Sequence, residues 1–454
     1  MGINVQLVRS GAVVVKCLAM QEMSIRMTGA NLDSTLQKTF TEFGIDVSRI
    51  YSLTVDNGSN MIKATELMRE RQTHDGDGGI SDSEGDGDTG DDQLDGNEGN
   101  GEEELMSALF EWNRTVTNTM CVGIRCAAHT AQLVVSDAMK DLNVTTIVDA
   151  VRHCVRKLRT PIIMLALKQR KLPMPILDCA VRWSSTFDMI RRLRELKNFI
   201  SELLPSCPEL NLSLETWQTV DHLIEVLLPA KILIKTLQYE SLTLSDFYAG
   251  WVKCTLETMK LADKNPFADT LVRAMRNRED KIMHSNILVA ALFLDPRYQL
   301  LLSRPDRCRA MRHLSFVHDY IAKLEPAPIT PSLLPSLEPT QPQTRQSDPL
   351  KELLQLRQTA LDKGTEFDVD DFILTFNNTP RETFKDGYSI FDFWEHNKMN
   401  HPQLYELAKI VYATPATQVS VERSFSVLSN IFSKNRCSIS EDMLHSQMII
   451  ALNS

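Results

Sequence analysis

TPATQVSVERSFS, the stretch from residue 414 to residue 426, decides how the end of this chain folds. Its apolar residues recur at the spacing of one helical face, and this spacing predicts an amphipathic helix over 418–432. Glu422 lies in the first turn of that helix. Taken alone, its carboxylate is either a metal ligand or one half of a surface ion pair. The apolar face is marked by Val419, Phe425 and Leu428.

A second acidic signature lies far earlier in the chain, in the stretch SLTVDNGSN over 52–60. A short strand is predicted over 50–55, and Asp56 follows its last residue. A carboxylate at the carboxyl end of a strand faces the crevice where α/β sheets bind ligands. Asp before Asn-Gly is also a common turn residue. Both interpretations of Asp56 stay open at this point.

The composition is that of a globular protein whose acidity is local. Of the 454 residues 43% are apolar, and no run approaches the ~18 apolar residues of a membrane span. The net charge is −10, but residues 75–104 hold 13 Asp and Glu and no Lys or Arg. The remainder is therefore mildly basic. Nine scattered cysteines favour reduced thiols over a disulfide framework.

The order of predicted elements is that of an α/β sheet interrupted by a large helical insertion. Two runs rich in β-branched residues, 3–8 and 13–19, predict a β-hairpin. Further strands are expected over 50–55 and 121–126. From 144 to about 330 the pattern is almost wholly helical, with breaks at prolines. Those prolines are Pro161, Pro173, Pro205, Pro208 and Pro229.

Two segments have a composition typical of polypeptide that does not contribute to a hydrophobic core. Residues 73–104 are rich in Gly, Asp and Glu and predict disorder, either as a solvated loop insertion or as an acidic interaction tail. Residues 326–349 contain seven prolines among Ser, Thr and Gln, which is typical of a linker or mobile loop.

Several residues outside the two acidic signatures carry chemistry that suits nucleic acid or metal. Cys126 and His129 are three residues apart, but two ligand types are too few for a structural zinc site. Residues 151–200 hold 12 Lys and Arg against 3 Asp and Glu, a stripe that can contact phosphates. Within it, Arg182 adjoins Trp183, whose ring either stacks on an unpaired base or belongs to the core.

The last predicted helix, over 440–452, has an apolar face that suits partner binding. Such a face either docks on a second copy of the chain or packs inside its own chain, and an interface that extends a core does both. The face is formed by Met443, Leu444, Met448, Ala451 and Leu452.

Five stretches together, in this order, resemble the hAT-superfamily transposases, most closely the BED zinc-finger-type members. They are DNGSNMIKA (56–64), RCAAHT (125–130), VRWSST (181–186), LFLDPRY (292–298) and the 414–426 stretch. The resemblance covers nearly the whole chain outside the two low-complexity segments. From residue 391 onward the chain resembles the hAT C-terminal dimerisation region.

The resemblance implies an RNase H-like mixed sheet, with a helical domain inserted before the last catalytic carboxylate. In that family three acidic residues hold two divalent metal ions, and the enzyme cuts and joins DNA. Asp56 matches the second carboxylate and Glu422 the third. Trp183, with Arg182 beside it, matches the tryptophan near the DNA end, and Cys126 and His129 match a motif beside it. Dimerisation is implied for Phe425, Leu428, Met443, Leu444, Met448 and Leu452.

The sequence departs from this family pattern in two places. The first catalytic Asp, which the family carries on a strand before the hairpin, has no counterpart, and neither does the BED zinc finger. We therefore expect an N-terminally truncated, catalytically inactive remnant that forms homodimers, contacts DNA and resides in the nucleus. Mg²⁺ would bind only to an intact catalytic site, and no other cofactor, membrane or small-molecule substrate is expected. The alternatives are an active metal-dependent transposase, if upstream sequence is missing, and a non-catalytic DNA-binding regulator.

These expectations divide the chain into five parts. Residues 1–72 and 105–190 form the two parts of the RNase H-like domain, and 386–454 complete it as the dimerisation region. The acidic insertion, 73–104, separates the first two parts, and the helical insertion domain takes up 191–385.

Overall fold

The computed structural model describes most of the chain as strands and helices. It covers residues 1–23, 25–56, 58–74, 120–140, 142–179, 183–239, 241–324, 388–431 and 441–453. None of the helices within these ranges is both long and apolar enough to cross a membrane. Most of the acidic segment and the whole proline-rich loop lie outside these ranges.

The chain opens with the predicted β-hairpin. Strands β1 (Gly2–Arg9) and β2 (Ala12–Met20) pair antiparallel, with an irregularity in register between Ile3 and Asn4. The two turn residues, Ser10 and Gly11, have φ values of 50° and 70°. Positive φ at both central positions is the conformation of a two-residue turn whose twist matches that of paired strands.

A second, parallel pair of strands follows. Helix α1 (Gly29–Glu42) begins where Thr28 caps the N–H of Asn31, and Gly44, with φ of +63°, follows its end. Strand β3 (Ser52–Val55) leads into α2 (Ser59–His74). Strand β4 (Val122–Arg125) then pairs parallel with β3. The strands predicted over 50–55 and 121–126 are confirmed, with ends shifted by one or two residues.

The described strands form two separate sheets, whereas we expected one mixed sheet. β1 pairs with β2, and β3 pairs with β4, in two sheets of two strands each. The RNase H-like sheet is therefore not seen as a single unit. β1 and β3 line opposite sides of a cavity of about 470 Å³, and no ladder of backbone hydrogen bonds joins them.

Beyond β4 the described chain is helical, as the sequence predicts. Pro161 begins a helix and Pro208 begins a short 3₁₀ turn, but the break predicted at Pro229 is wrong. Pro229 lies inside a 23-residue helix, whose neighbouring Val226, Leu227 and Ala230 are buried, and this packing outweighs one missing hydrogen bond. The helices are α3 (Ala127–Met139), α4 (Leu142–Leu158), α5 (Pro161–Gln169), α6 (Trp183–Glu195), α7 (Lys197–Leu203), α8 (Leu214–Thr236), α9 (Leu244–Met259), α10 (Pro266–Met283), α11 (Asn286–Phe293) and α12 (Arg304–Leu324).

The LFLDPRY stretch forms the centre of the helical core. Every residue of α11 from Ile287 to Phe293 is buried. Just after it, the fully buried Asp295 accepts hydrogen bonds from Ser245 (2.8 Å) and from Arg297 (2.7 Å). Burial raises the pKa of Asp295, and the Arg297 guanidinium beside it opposes that rise. This motif is thus a buried ion pair that fixes the chain after α11.

The chain returns to the sheets through its last helices. These are α13 (Ile390–Asn397), α14 (Pro402–Tyr412), α15 (Val419–Ile431) and α16 (Glu441–Asn453). The helices predicted over 418–432 and 440–452 are confirmed. α14 and α15 pack against β1, and α16 packs against β2.

His313 on α12 is a buried neutral group that ties the helical part to β3. Its Nε2 lies 2.8 Å from the hydroxyl of Tyr51, the residue before β3. Burial lowers the pKa of His313 to about 4. The unfolded chain takes up a proton at about pH 6.5, so the folded chain loses stability as the pH falls from about 6.5 toward 4.

The free energy of unfolding therefore decreases as the pH is lowered across that window, by up to about 1.4 kcal/mol per pH unit for this one group. The midpoint of urea unfolding decreases with it. His313→Gln removes the titrating group, and we expect a shallower dependence between about pH 7.5 and pH 5. His153→Gln, on an exposed histidine, is the matched control and keeps the slope of the parent chain. An unchanged slope in His313→Gln contradicts this account.

Candidate functional site

The segment 414–418 joins the last helices to the ends of β3 and β4. The hydroxyls of Ser52 and Thr414 lie 2.9 Å apart. The Thr54 hydroxyl donates to the carbonyl of Pro415 at 2.6 Å. The N–H of Ala127 donates to the carbonyl of residue 416 at 2.9 Å. A single short segment thus bonds to both strands of the parallel sheet or to the residues just after them.

Gln418 completes this junction. Its backbone N–H donates to Sγ of Cys126 at 3.4 Å, and its side-chain Nε2 donates to the carbonyl of Thr54 at 3.1 Å. The N–H of Glu422 in turn donates to the carbonyl of Gln418 at 3.1 Å. Glu422 therefore lies one helical turn from the carboxyl end of β3. Asp56 directly follows that strand, so both predicted carboxylates border the same end of the parallel sheet.

The two carboxylates differ in what they contact. Asp56 is exposed, and its Oδ1 accepts the N–H of Gly58 at 3.0 Å, so it stabilises the turn into α2. Glu422 is exposed on the first turn of α15. Burial raises the pKa of the Cys126 thiol, and the charge of Glu422 adds to that rise. The turn interpretation of Asp56 is therefore correct, whatever further role the residue has.

This sheet end provides fewer ligands than a two-metal site requires. Such a site clamps the attacking and leaving oxygens between two ions and takes several oxygen ligands to hold them. Within the described ranges, no three His, Cys, Asp or Glu side chains are grouped as metal ligands. The residues present at this edge thus provide two exposed carboxylates and do not build the site that the family resemblance implies.

Cys126 and His129 occupy the start of α3. Cys126 is buried directly before the helix, where its sulfur accepts the N–H of Gln418. His129 is half-buried in the first turn. The described contacts of Cys126 are those of a packed thiol at a chain junction. A DNA-binding role for this pair remains a prediction.

Trp183 lies in the core in this structure. It begins α6, is 4% exposed and packs in the same cluster as Phe187, and its Nε1 has no hydrogen-bond partner among the described residues. Of the two interpretations left open by the sequence, the structure shows core packing, and contact of the ring with DNA stays a prediction. Arg182 lies outside the described residues.

The start of α6 is held by a charge cluster that the sequence pattern did not indicate. Asp178 accepts hydrogen bonds from Arg152 at 2.9 Å and from the Thr186 hydroxyl at 2.9 Å. The Arg152 guanidinium holds the pKa of Asp178 below its usual range. Neither residue belongs to a recognisable motif, because their pairing depends on how α4 packs beside α6.

The basic stripe divides into paired and unpaired cations. Those of α6 make ion pairs, for example Arg192 with Glu195 at 2.9 Å. Apart from Arg170, which pairs with Glu202, the cations at the end of α4, in α5 and just beyond it are exposed and make no ion pair with another described residue. This exposed set, called here the basic patch, consists of Arg156, Lys157, Arg159, Lys168 and Lys171.

Helix α16 is anchored to β2 by some residues and exposes apolar side chains at others. Asn453 accepts the N–H of Cys17 at 2.8 Å and donates to the carbonyl of Cys17 at 2.9 Å. Met448 is fully buried, whereas Met443 is 54% and Ile450 is 69% exposed. The predicted dimerisation residues therefore separate, because Met448 packs inside the chain and Met443 faces outward. Phe425 on α15 is 43% exposed, and Leu428, Leu444 and Leu452 are half-buried.

Sequence reasoning missed Asn453, Gln418 and Ile450 as functional candidates. Asn453 and Gln418 use side-chain amides to bond strand backbones, a role that has no sequence signature because the strand lies hundreds of residues away. Ile450 lies two helical turns beyond Met443, so the spacing of seven residues could have placed both on one face.

Two family models match parts of this chain, and known proteins are similar to it. Residues 368–454 match the hAT family C-terminal dimerisation region, and residues 124–226 match the ZBED1 RNase-like helical domain. The human zinc finger BED domain-containing protein 4 is 27% identical over 234 residues, which is 46% of this chain and 20% of that protein. Zinc finger BED domain-containing protein RICESLEEPER 1 of rice (Oryza sativa subsp. japonica) is 23% identical over 337 residues, which is 65% of this chain and 45% of that protein.

The chain thus spans less than half the length of these two relatives. The family matches cover the two regions where the structure places the basic patch and the anchored helix α16. The 125–130, 181–186 and 414–426 motifs of the sequence all fall within them. The chain is therefore similar to the hAT family over its C-terminal region and to BED zinc-finger-type proteins over its helical part.

Proposed function

We propose that this chain is a non-catalytic, transposase-derived protein that forms homodimers through its last helices and binds DNA in the nucleus. The observation that carries the proposal is the division of α16 into an anchored face and an exposed apolar face.

Dimerisation is supported by the fixed position of α16 and by the apolar side chains on its outer face. The bonds from Asn453 to Cys17 and the buried Met448 hold α16 on β2, so its outer face is presented in a fixed orientation. Met443 and Ile450 lie two turns apart on that face. Apolar side chains on a fixed helix lose little entropy when a second copy covers them. This face lies within the region matched as a dimerisation region.

DNA binding is supported by the basic patch. Its cations are exposed, and they concentrate positive charge on α4 and α5, in a chain whose net charge is −10. Phosphate contacts by lysine and arginine release counterions from DNA and supply most of non-specific affinity. The patch lies within the matched helical domain. The nuclear location is proposed from the likeness to relatives named zinc finger BED domain-containing proteins.

The non-catalytic role is supported by the use that the structure makes of Asp56. Its carboxylate already accepts the N–H of Gly58 and stabilises a turn. Glu422, the other carboxylate at this sheet end, is solvated on a helix surface. Two solvated carboxylates bind a divalent cation weakly, because Mg²⁺ gives up its water reluctantly.

Charges placed on the outer face of α16 should dissociate the dimer. We expect the full chain to be a dimer by light scattering at roughly 20 µM, since a specific interface commonly gives micromolar or tighter affinity. Met443→Glu combined with Ile450→Glu should give a monomer. The control, Ile232→Glu with Leu256→Glu, changes equally exposed apolar residues on α8 and α9 and leaves the mass unchanged. A monomeric parent chain would exclude the proposed dimer.

Removing cations from the basic patch should weaken DNA binding and flatten its salt dependence. Lys157→Ala with Lys168→Ala removes two phosphate contacts, which should lower the affinity about tenfold and reduce the salt slope by about two. The matched control, Lys235→Ala with Lys253→Ala, removes two exposed lysines from α8 and α9 and should bind as the parent does. Fluorescence anisotropy with a duplex at several salt concentrations measures both quantities. Equal losses in the two variants would contradict a localised patch.

The full chain should not nick DNA when Mg²⁺ or Mn²⁺ is added. Supercoiled plasmid incubated with the protein and either ion should stay supercoiled, at the level of a buffer control, because two carboxylates do not clamp both reacting oxygens. Nicking that Asp56→Ala and Glu422→Ala each abolish would show an active metal site and overturn the non-catalytic role.

A further inference from the structure

Helix α5 exposes two large apolar side chains inside the basic patch. Ile162 is 83% and Leu165 is 57% exposed, on a helix of nine residues. Because they are three residues apart they lie on one face of the helix, and the exposed Lys168 continues that face one turn later. Exposed apolar residues scattered singly are ordinary, whereas adjacent ones rimmed by polar residues mark a contact surface.

The opposite face of α5 is fixed on the core. Leu167 is fully buried, and Ile163 packs against the same hydrophobic cluster. At the end of the helix, Arg170 pairs with Glu202 of α7 and lies over the ring of Phe199, 5.3 Å from its centroid. The helix is thus held by other residues, and the two exposed side chains are presented in a fixed position.

The sequence around this apolar pair is cationic. Residues 150–177 hold seven Lys and Arg and no Asp or Glu. Ile162 lies three residues after Arg159, and Leu165 lies three residues before Lys168, so a cation flanks the pair on each side along the chain. A ligand that covers this surface therefore has to be anionic and has to offer an apolar contact as well.

DNA meets both conditions when its base stack opens. Phosphates surround the stack, and proteins that bend DNA insert Ile, Leu or similar side chains between base steps. A protein partner suits this surface less well. The core of a protein interface is larger than two side chains, and it is depleted of charged residues.

We propose that Ile162 and Leu165 form a wedge that inserts into the base stack of DNA bound at the basic patch. This inference rests on the DNA binding proposed above and adds the class of DNA that the patch favours. Because opening an intact base step costs free energy, a duplex whose stack is already interrupted binds more tightly than a regular one. The wedge kinks a regular duplex that it enters.

Two short fluorescein-labelled duplexes, each titrated with the full chain, test this preference. One duplex is regular, and the other has the same sequence with two unpaired adenines in the middle of one strand. We expect fluorescence anisotropy to give an affinity at least about tenfold higher for the bulged duplex, since its stack is already open. Equal affinity for the two duplexes overturns the wedge and leaves the proposed DNA binding in place. Binding to neither duplex overturns both.

A double substitution on α5 assigns the preference to the apolar pair. Ile162→Ala with Leu165→Ala removes the wedge and keeps every cation of the basic patch. It should bind the regular duplex within about twofold of the parent chain and with the same salt slope, because phosphate contacts set both. Its preference for the bulged duplex should be lost.

The matched control, Leu228→Ala with Ile232→Ala, truncates two exposed apolar side chains on α8 and should keep the preference. Alanine is a good helix former at exposed positions, and circular dichroism checks that both variants are folded. A preference that survives Ile162→Ala with Leu165→Ala comes from the flexibility of the bulged DNA and overturns the proposal.

An acidic protein is the alternative ligand for this surface. A fluorescein-labelled helical peptide of Glu and Leu residues is its probe. If the peptide binds the parent chain saturably, the double substitution on α5 removes that binding, and the two duplexes bind equally, the surface serves a protein partner and the DNA wedge is overturned.

Discussion

The bonds made by the 414–418 segment are the constraint on which the arrangement of this chain depends. They connect strands formed near residue 54 and residue 125 with helices formed hundreds of residues later. Without them, β3 and β4 would be a two-stranded sheet, which is marginally stable alone. With them, the sheet end is fixed against the first turn of α15. Gln418 is central, since one residue bonds to both strand ends.

This constraint explains why one sheet end collects both predicted carboxylates. Asp56 follows β3 because the strand ends there, and Glu422 follows Gln418 by one turn because α15 begins there. Proximity thus comes from the junction. A catalytic metal site requires several ligand side chains that are shielded from water and oriented toward one position. The described residues of the junction do not provide such a set. The exposure of both carboxylates indicates a solvated edge.

The sequence predicted the elements of this fold better than their assembly. The hairpin over 3–8 and 13–19 and the helix beginning near 419 follow from local periodicity, so their positions could be read directly. The separation of β1 from β3 could not be predicted, because strand pairing depends on residues that are far apart in the sequence. At Pro229 the sequence predicted a helix break that the structure does not show, because burial of the surrounding residues of α8 outweighs the local effect of proline.

The candidate site shows the same division between pattern and context. The count of Lys and Arg over 151–200 pointed to the region of the basic patch, because a local excess of cations is visible in the sequence itself. The burial of Trp183 could not be predicted, since a tryptophan suits stacking on a base and core packing equally well. For α16 the apolar spacing was correct, but only the bonds from Asn453 to Cys17 show which face is used internally. The face left outside is therefore a consequence of how β2 is covered. One helix thus both covers the edge of β2 and exposes apolar side chains.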